Sequence, residues 1–226
     1  MCGRIRFTLN KDDFIQILHD RYAINDYTLD YSIPKYNIAP SNDVIAVIND
    51  GSKYRIGLLR WGFVPTWAKD NKFMSINAKA ETILEKKMFA LAFNKRRCVI
   101  LADGFYEWKK VSSTKIPYNI TIKDQEIMPL AGLYNPYINE KGEKIFTCTI
   151  ITTTPNEILS SIHERMPVIL TKDNEKIWLN PHINTNLLQS VLEPYSSHNM
   201  DFYTVSNIVN NPLVDTPDCI KPYEYN

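Results

Sequence analysis

Cys98-Val99-Ile100-Leu101-Ala102-Asp103-Gly104-Phe105-Tyr106-Glu107-Trp108-Lys109-Lys110 is the stretch on which the fold turns. Its first five residues form an unbroken apolar run, the pattern of a strand covered on both faces. The residues after Gly104 alternate instead. Phe105, Glu107 and Lys109 share one face, and Tyr106, Trp108 and Lys110 share the other. A glutamate among aromatics in a cleft wall would have its pKa raised by desolvation and could shuttle protons. The plainer reading of Glu107 is an exposed strand carboxylate paired to a lysine. Further short β runs follow at 117–122, 128–134 and 145–152 and read as an antiparallel series, with Asn139-Glu140-Lys141-Gly142 as the turn between the last two.

The 226 residues are 44% apolar and 12% aromatic, enough for one domain with a proper core. Lys plus Arg number 26 against 25 acidic residues, so no global field drives the chain onto nucleic acid or membrane, and any DNA binding must be local. No apolar run approaches the roughly 18–20 residues of a membrane span, and the polar start lacks a secretory h-region. Cys2, Cys98, Cys148 and Cys219 are too scattered for zinc knuckles or a disulfide framework, which fits an intracellular, reducing setting. No glycine pattern marks a P-loop or dinucleotide site, so a nucleotide cofactor is not expected.

Along the chain, residues 3–9 alternate as a half-buried strand leading away from Cys2. Asn10 caps a helix whose inner face is Phe14, Ile17, Leu18 and Tyr22. An irregular tyrosine-rich connection precedes strands at 43–48 and 54–60. The Trp61–Trp67 segment, broken by glycine and proline, is a shaped loop in which Trp67 is either exposed or packed in the core. After a polar bend at Asp70-Asn71-Lys72, a helical run faces Ile83, Leu84, Met88, Leu91 and Ala92 inward. It ends in the basic Asn94-Lys95-Arg96-Arg97. Thr154-Pro155-Asn156-Glu157 is a capping-box pattern opening a short helix from Glu157 to about Ile162. That helix delivers His163, which is either a solvated helix end or an acid–base group titrating near neutrality. A strand at 168–170, helices near 172–179 and 184–192, a strand at 201–206 and an irregular tail, 207–226, complete the chain.

Met1-Cys2-Gly3-Arg4 carries the most distinctive chemistry. Trimming of Met1, expected before a small residue, leaves Cys2 with a free α-amine and a thiol on neighbouring carbons, of unperturbed pKa ~7.7–8.0 and ~8.5. Such an aminothiol condenses with an aldehyde to an imine, and the thiol closes on the imine carbon to form a thiazolidine. The second step is favoured because it is intramolecular. The alternative is a cysteine that is simply buried.

Six segments in order resemble the SRAP family, the SOS-response-associated peptidase proteins that sense abasic sites. They are Met1–Arg4, Tyr36-Asn37-Ile38-Ala39-Pro40, Arg60-Trp61-Gly62-Phe63-Val64-Pro65, Asn77-Ala78-Lys79-Ala80-Glu81-Thr82, Ala102–Trp108 and His163-Glu164-Arg165-Met166-Pro167. The resemblance implies a single α+β domain, a barrel-like antiparallel β core flanked by helices, with a basic cleft for single-stranded DNA. It implies that Cys2 forms a thiazolidine crosslink with the ring-opened abasic sugar, that Asn77 orients the terminus, that Glu107 shuttles protons, and that His163 opens the sugar. It further implies that Arg4, Lys79 and Arg165 bind phosphates, that Trp67 stacks on a base, and that Asn37 and Thr152 line the cleft. Lys79 stands where the family usually has arginine, which loses the bidentate fork.

The expected partner is therefore single-stranded DNA containing abasic sites, with no membrane, no metal and no cofactor, bound by a monomer in the cytoplasm, nucleoid or nucleus. AP-lyase and autopeptidase activities are possible accompaniments. The rival readings are a thiol peptidase using Cys2 and His163, and a non-catalytic single-strand-binding module in which Cys2 is incidental.

Overall fold

In a computed structural model describing residues 2–68, 73–123, 125–139 and 141–225, β1 (Ile5–Phe7) leads away from Cys2 and is followed by α1 (Lys11–Tyr22). Asn10 caps this helix by accepting from the Asp13 amide, and Ala23 ends it in the left-handed region. Then come β2 (Lys35–Ile38), β3 (Asp43–Asn49), β4 (Tyr54–Trp61), β5 (Asn77–Lys79), α2 (Lys87–Lys95), β6 (Arg97–Ala102) and β7 (Gly104–Val111). The second half carries β8 (Thr114–Ile122), β9 (Met128–Ile138), β10 (Lys144–Thr153), β11 (Met166–Pro167), α3 (Lys172–Leu179), α4 (Thr185–Ser190) and β12 (Met200–Thr204). Among the described residues no helix is long and apolar enough to cross a membrane.

Five strands close on themselves. The ring runs β10-β4-β3-β6-β9 and back to β10. Four of its contacts are antiparallel, and the β10–β4 contact is parallel at Thr147↔Arg60 and Cys148↔Trp61. Closure explains the unbroken apolar run: every residue of β6 is buried, because one side faces the barrel interior and the other meets a layer outside it. Trp178 of α3 supplies part of that layer, donating from its indole to the Cys98 carbonyl at 2.9 Å.

The other sheet, in order β12-β8-β7-β1-β2, is antiparallel throughout. The chain passes from the barrel into it at Asp103-Gly104. Asp103 accepts from the Thr8 amide and hydroxyl, both at 2.6 Å, and pairs with Arg6 at 2.9 Å. Arg6 lies so close over Gly104 that a Cβ there would sit 2.5 Å from its Nε.

Three expectations are corrected. The run at 117–122 belongs to β8, which pairs with β7 and β12 and not with the next strand, so the series is split between two sheets. Strand periodicity carries no label for sheet membership. The helical run expected from Ile83 begins as a 3-10 turn at Ala80–Thr82, with α2 starting only at Lys87. There Phe89, Ala92 and Phe93 take the inner face and Leu91 is left exposed, because two large aromatics outweigh one leucine in setting the helix phase. The capping box at Thr154 does not form; Asn156 accepts from the Leu159 amide instead, and the turn is a single 3-10 turn, Leu159–Ser161. The bend at Asp70-Asn71-Lys72 and Glu140 of the expected turn lie outside the described residues, as does Met1.

The C-terminal segment contains 3-10 turns at Asn207–Asn210 and Pro217–Ile220. Val209 and Cys219 are buried there against Tyr106.

Gly132 tests the closure, because it lies on β9 opposite Cys98 on one side and Ile150 on the other. A Cβ would meet Cys98 Sγ at 2.9 Å and the Thr149 carbonyl at 3.0 Å. Gly132→Ala is expected to cost about 1–3 kcal/mol, read as a lower urea midpoint at unchanged slope. An unchanged midpoint would mean that the strands give way freely at this point.

Candidate active site and nucleic-acid interface

Pairing of β1 with β7 brings the start of the chain to Glu107. The register Ile5↔Phe105 and Arg6↔Gly104 is carried on by the Tyr106 amide, which donates to the Arg4 carbonyl at 3.0 Å. Continued one residue further, it sets Gly3 opposite Glu107, with Cys2 next in line. Cys2 is completely buried. Burial pushes its thiol pKa up, the Glu107 charge pushes the same way, and a hydrogen bond from the Arg4 backbone amide opposes both. The thiol thus lies inside, protonated at neutral pH.

Glu107 is 4% exposed, and burial pushes its pKa up to about 7, against the pull of the Trp108 backbone amide. His163 stands with Nε2 3.9 Å from Glu107 Oε2. Its Nδ1 accepts from the Arg165 amide at 3.0 Å, which leaves the proton of the neutral ring on Nε2, facing the carboxyl. Burial lowers the imidazole pKa, so the ring is neutral at pH 7. Desolvation therefore drives the two groups toward their uncharged forms together. A carboxyl that is half protonated and a neutral imidazole can exchange a proton with a reacting group without leaving a net charge buried.

Asn77 and Thr152 lie on adjoining strands, β5 and β10. β5 runs parallel to β10 with Ile150↔Asn77 and Thr152↔Lys79 in register, while Thr152 also pairs with Pro167 of β11. Asn77 Nδ2 donates to the Ile150 carbonyl at 3.5 Å, and its Oδ1 is buried without a hydrogen-bond partner among the described residues. Thr152 is fully buried and offers its carbonyl, at 2.7 Å from Arg165 Nη2. Its hydroxyl lies 3.5 Å from the same Arg165 nitrogen.

The phosphate-binding set divides. Trp67 is 58% exposed and meets Phe73 edge-on at 5.1 Å, and Lys79 is exposed at the end of β5. Arg165 instead forms a bidentate pair with Glu81 at 2.7 and 2.8 Å. Arg4 and Asn37 are also engaged internally. Arg4 Nη1 donates to Asn37 Oδ1 at 2.6 Å and to the Val209 carbonyl, and the guanidinium lies 5.8 Å from the Trp108 ring. Asn37 Nδ2 reaches the Asn211 and Val214 carbonyls at 3.0 and 2.7 Å. Both residues are buried and anchor the C-terminal segment, whose backbone carbonyls need donors.

Glu81 received no role from sequence reasoning, although it sits inside the Asn77–Thr82 motif; a carboxylate two residues from Lys79 gave no sign that its partner was Arg165. Trp108 was likewise missed as a tether. Its indole donates to Asn210 Oδ1 at 2.6 Å. Among the described residues, no group of three or more His, Cys, Asp or Glu could hold a metal ion.

A family model described as SOS response associated peptidase (SRAP) matches residues 1–212. The chain is 45% identical over 228 residues to the abasic site processing protein YoqW of Bacillus subtilis (strain 168), covering 99% of this chain and 100% of that one. It is 31% identical to the abasic site processing protein HMCES of Rattus norvegicus over 84% of this chain and 65% of that one. A solved X-ray structure of a protein from Bacteroides thetaiotaomicron superposes with a TM-score of 0.84 at 26% identity, covering 99% of this chain and 100% of the other.

The raised pKa of Glu107 has a consequence for stability. Below the ordinary value of 4.5 both folded and unfolded chains hold the proton and nothing is lost; above about 7 both have released it and the full cost of a buried charge is present. Glu107→Gln cannot ionise, so its stability relative to the parent should improve by on the order of 3 kcal/mol between about pH 4 and about pH 8. Urea midpoints of both proteins across that range test this; parallel pH profiles would show that Glu107 is not desolvated.

Proposed function

This chain belongs to the SOS response associated peptidase (SRAP) family, and from that footing we propose that it processes abasic sites in intracellular single-stranded DNA by trapping them covalently on Cys2. The observation that carries the reading is the Glu107–His163 pair, 3.9 Å apart and each shifted by burial toward its uncharged form, beside the Cys2 thiol.

Removal of Met1 frees the Cys2 amine. His163 helps open the abasic furanose to its aldehyde by moving a proton between the ring oxygen and the 1-hydroxyl. The neutral amine adds to the aldehyde carbon and gives a carbinolamine. Glu107, held as the carboxylic acid part of the time at pH 7, protonates the departing hydroxyl, so water leaves and the imine forms. The carboxylate left behind then takes the thiol proton as sulfur attacks the carbon of the protonated imine, whose nitrogen keeps its proton in the closed ring. This last role suits a thiol whose own pKa is raised, because a buried sulfur does not ionise unaided. Aldehyde and aminothiol combine with loss of one water.

Asn77, with its buried unpaired carbonyl oxygen, is the group that orients the amine or the sugar hydroxyl. Trp67 and Lys79 meet the strand outside by stacking and by a single charge, contacts that tolerate any base sequence. Arg165 reaches a phosphate only by exchanging its Glu81 partner.

Incubation with an oligonucleotide bearing one abasic site is expected to give an adduct whose mass equals protein without Met1 plus DNA less one water. Chain that retains Met1 should give none. Cys2→Ala keeps an amine after Met1 removal but cannot close the ring, so it should shift the outcome from stable adduct to β-elimination and strand cleavage. Failure of the trimmed protein to form the adduct would sink the proposal.

A further inference from the structure

The β7–β8 hairpin ends in a charge arrangement that the fold itself does not stabilise. Its two strands are joined by Ser112 and Ser113, with Ser112 at φ 53, and the register sets Lys110 directly opposite Lys115. Directly opposed side chains share one face with Cβ atoms about 4.5–5.5 Å apart, and like charges so placed destabilise a hairpin. Lys109 precedes the pair by one residue, and Glu107 is the only acidic residue between Gly104 and Ile122. Among the described residues no carboxylate forms an ion pair with Lys109, Lys110 or Lys115, and both opposed lysines are exposed.

The tip is also near the reacting pair. Lys110 lies three residues from Glu107 on the same strand, about 10 Å along it. The Lys115 charge is among the influences that lower the His163 pKa. Lys109 shares the Glu107 face of β7, and the opposed Lys110 and Lys115 extend the same strand end on the other face, so the lysines cluster at the end of the hairpin that carries Glu107.

We propose that this hairpin tip is a phosphate-gripping arm, in which Lys110 and Lys115, with Lys109 behind them, hold the DNA backbone just beyond the abasic nucleotide. The inference rests on the DNA-processing reading above. A phosphodiester between the two ammonium groups turns their mutual repulsion into shared attraction, so the arm is strained when free and relieved when occupied.

The test uses an undamaged single-stranded oligonucleotide, binding being followed by fluorescence anisotropy over a range of salt. Lys110→Gln/Lys115→Gln should weaken binding about tenfold at low salt and flatten the slope of log affinity against log salt by about 1.4, two strand contacts at ~0.7 each. Lys110→Glu should do the reverse to stability, since it converts a like-charge pair into an opposite one: the melting temperature rises by about 1–3 °C while affinity falls. Unchanged affinity and slope in the double variant would overturn the proposal, as would a Lys110→Glu variant whose melting temperature and affinity fall together. Crosslinking to an abasic oligonucleotide at saturating DNA separates this from the parent reading. If wild type gives no adduct yet the salt effects appear, the arm stands and the Cys2 chemistry fails; if adduct forms and the salt effects are absent, the arm fails alone.

Discussion

The ion pair and hydrogen bonds that lock Asp103 to Arg6 and Thr8 hold the rest of the molecule in place. At that corner the chain leaves a closed barrel and enters an open sheet, and the same residues bind β1 to the start of β7. With β1 fixed there, Cys2 has nowhere to go but beside Glu107. The bare Cα of Gly104 admits the Arg6 side chain, so the corner joins a backbone requirement to an electrostatic one. The anchor fixes the strand that leads from Cys2, which would otherwise lose its geometry to conformational entropy.

Burial then does the chemical tuning. The same loss of water raises the Glu107 and Cys2 pKa values and lowers that of His163, since it penalises whichever form is charged. Carboxyl and imidazole are thereby moved in opposite directions from their ordinary values, both toward the uncharged form. Arg165 fixes the imidazole through its backbone amide while its side chain is held by Glu81, so the acid–base pair and the surface around it are positioned by one turn, His163 to Pro167.

Much of the architecture was legible in the residues. The Asn10 cap, the helix to Tyr22, the buried run at 98–102 and the two late helices follow from local patterns that the structure honours. The partnering of Glu107 with His163 was legible only as a shared membership in ordered motifs. The engagement of Arg4 and Asn37 with the C-terminal segment was not legible, because the groups they satisfy are backbone carbonyls more than 170 residues away, and a carbonyl has no signature in sequence.

By itself the sequence determined most element types, the Asn10 cap, the apolar face of α1 and the six ordered segments that mark the family, since each rests on spacing within a few residues of its neighbours. Only the tertiary structure decided that the strands divide between a closed barrel and a second sheet, that Leu91 faces water, that the Cys2 thiol lies buried and that Arg165 takes Glu81 as its partner. Those outcomes depend on which distant surfaces exclude water from one another. Solvent exclusion is a property of the assembled layers, not of any segment within them.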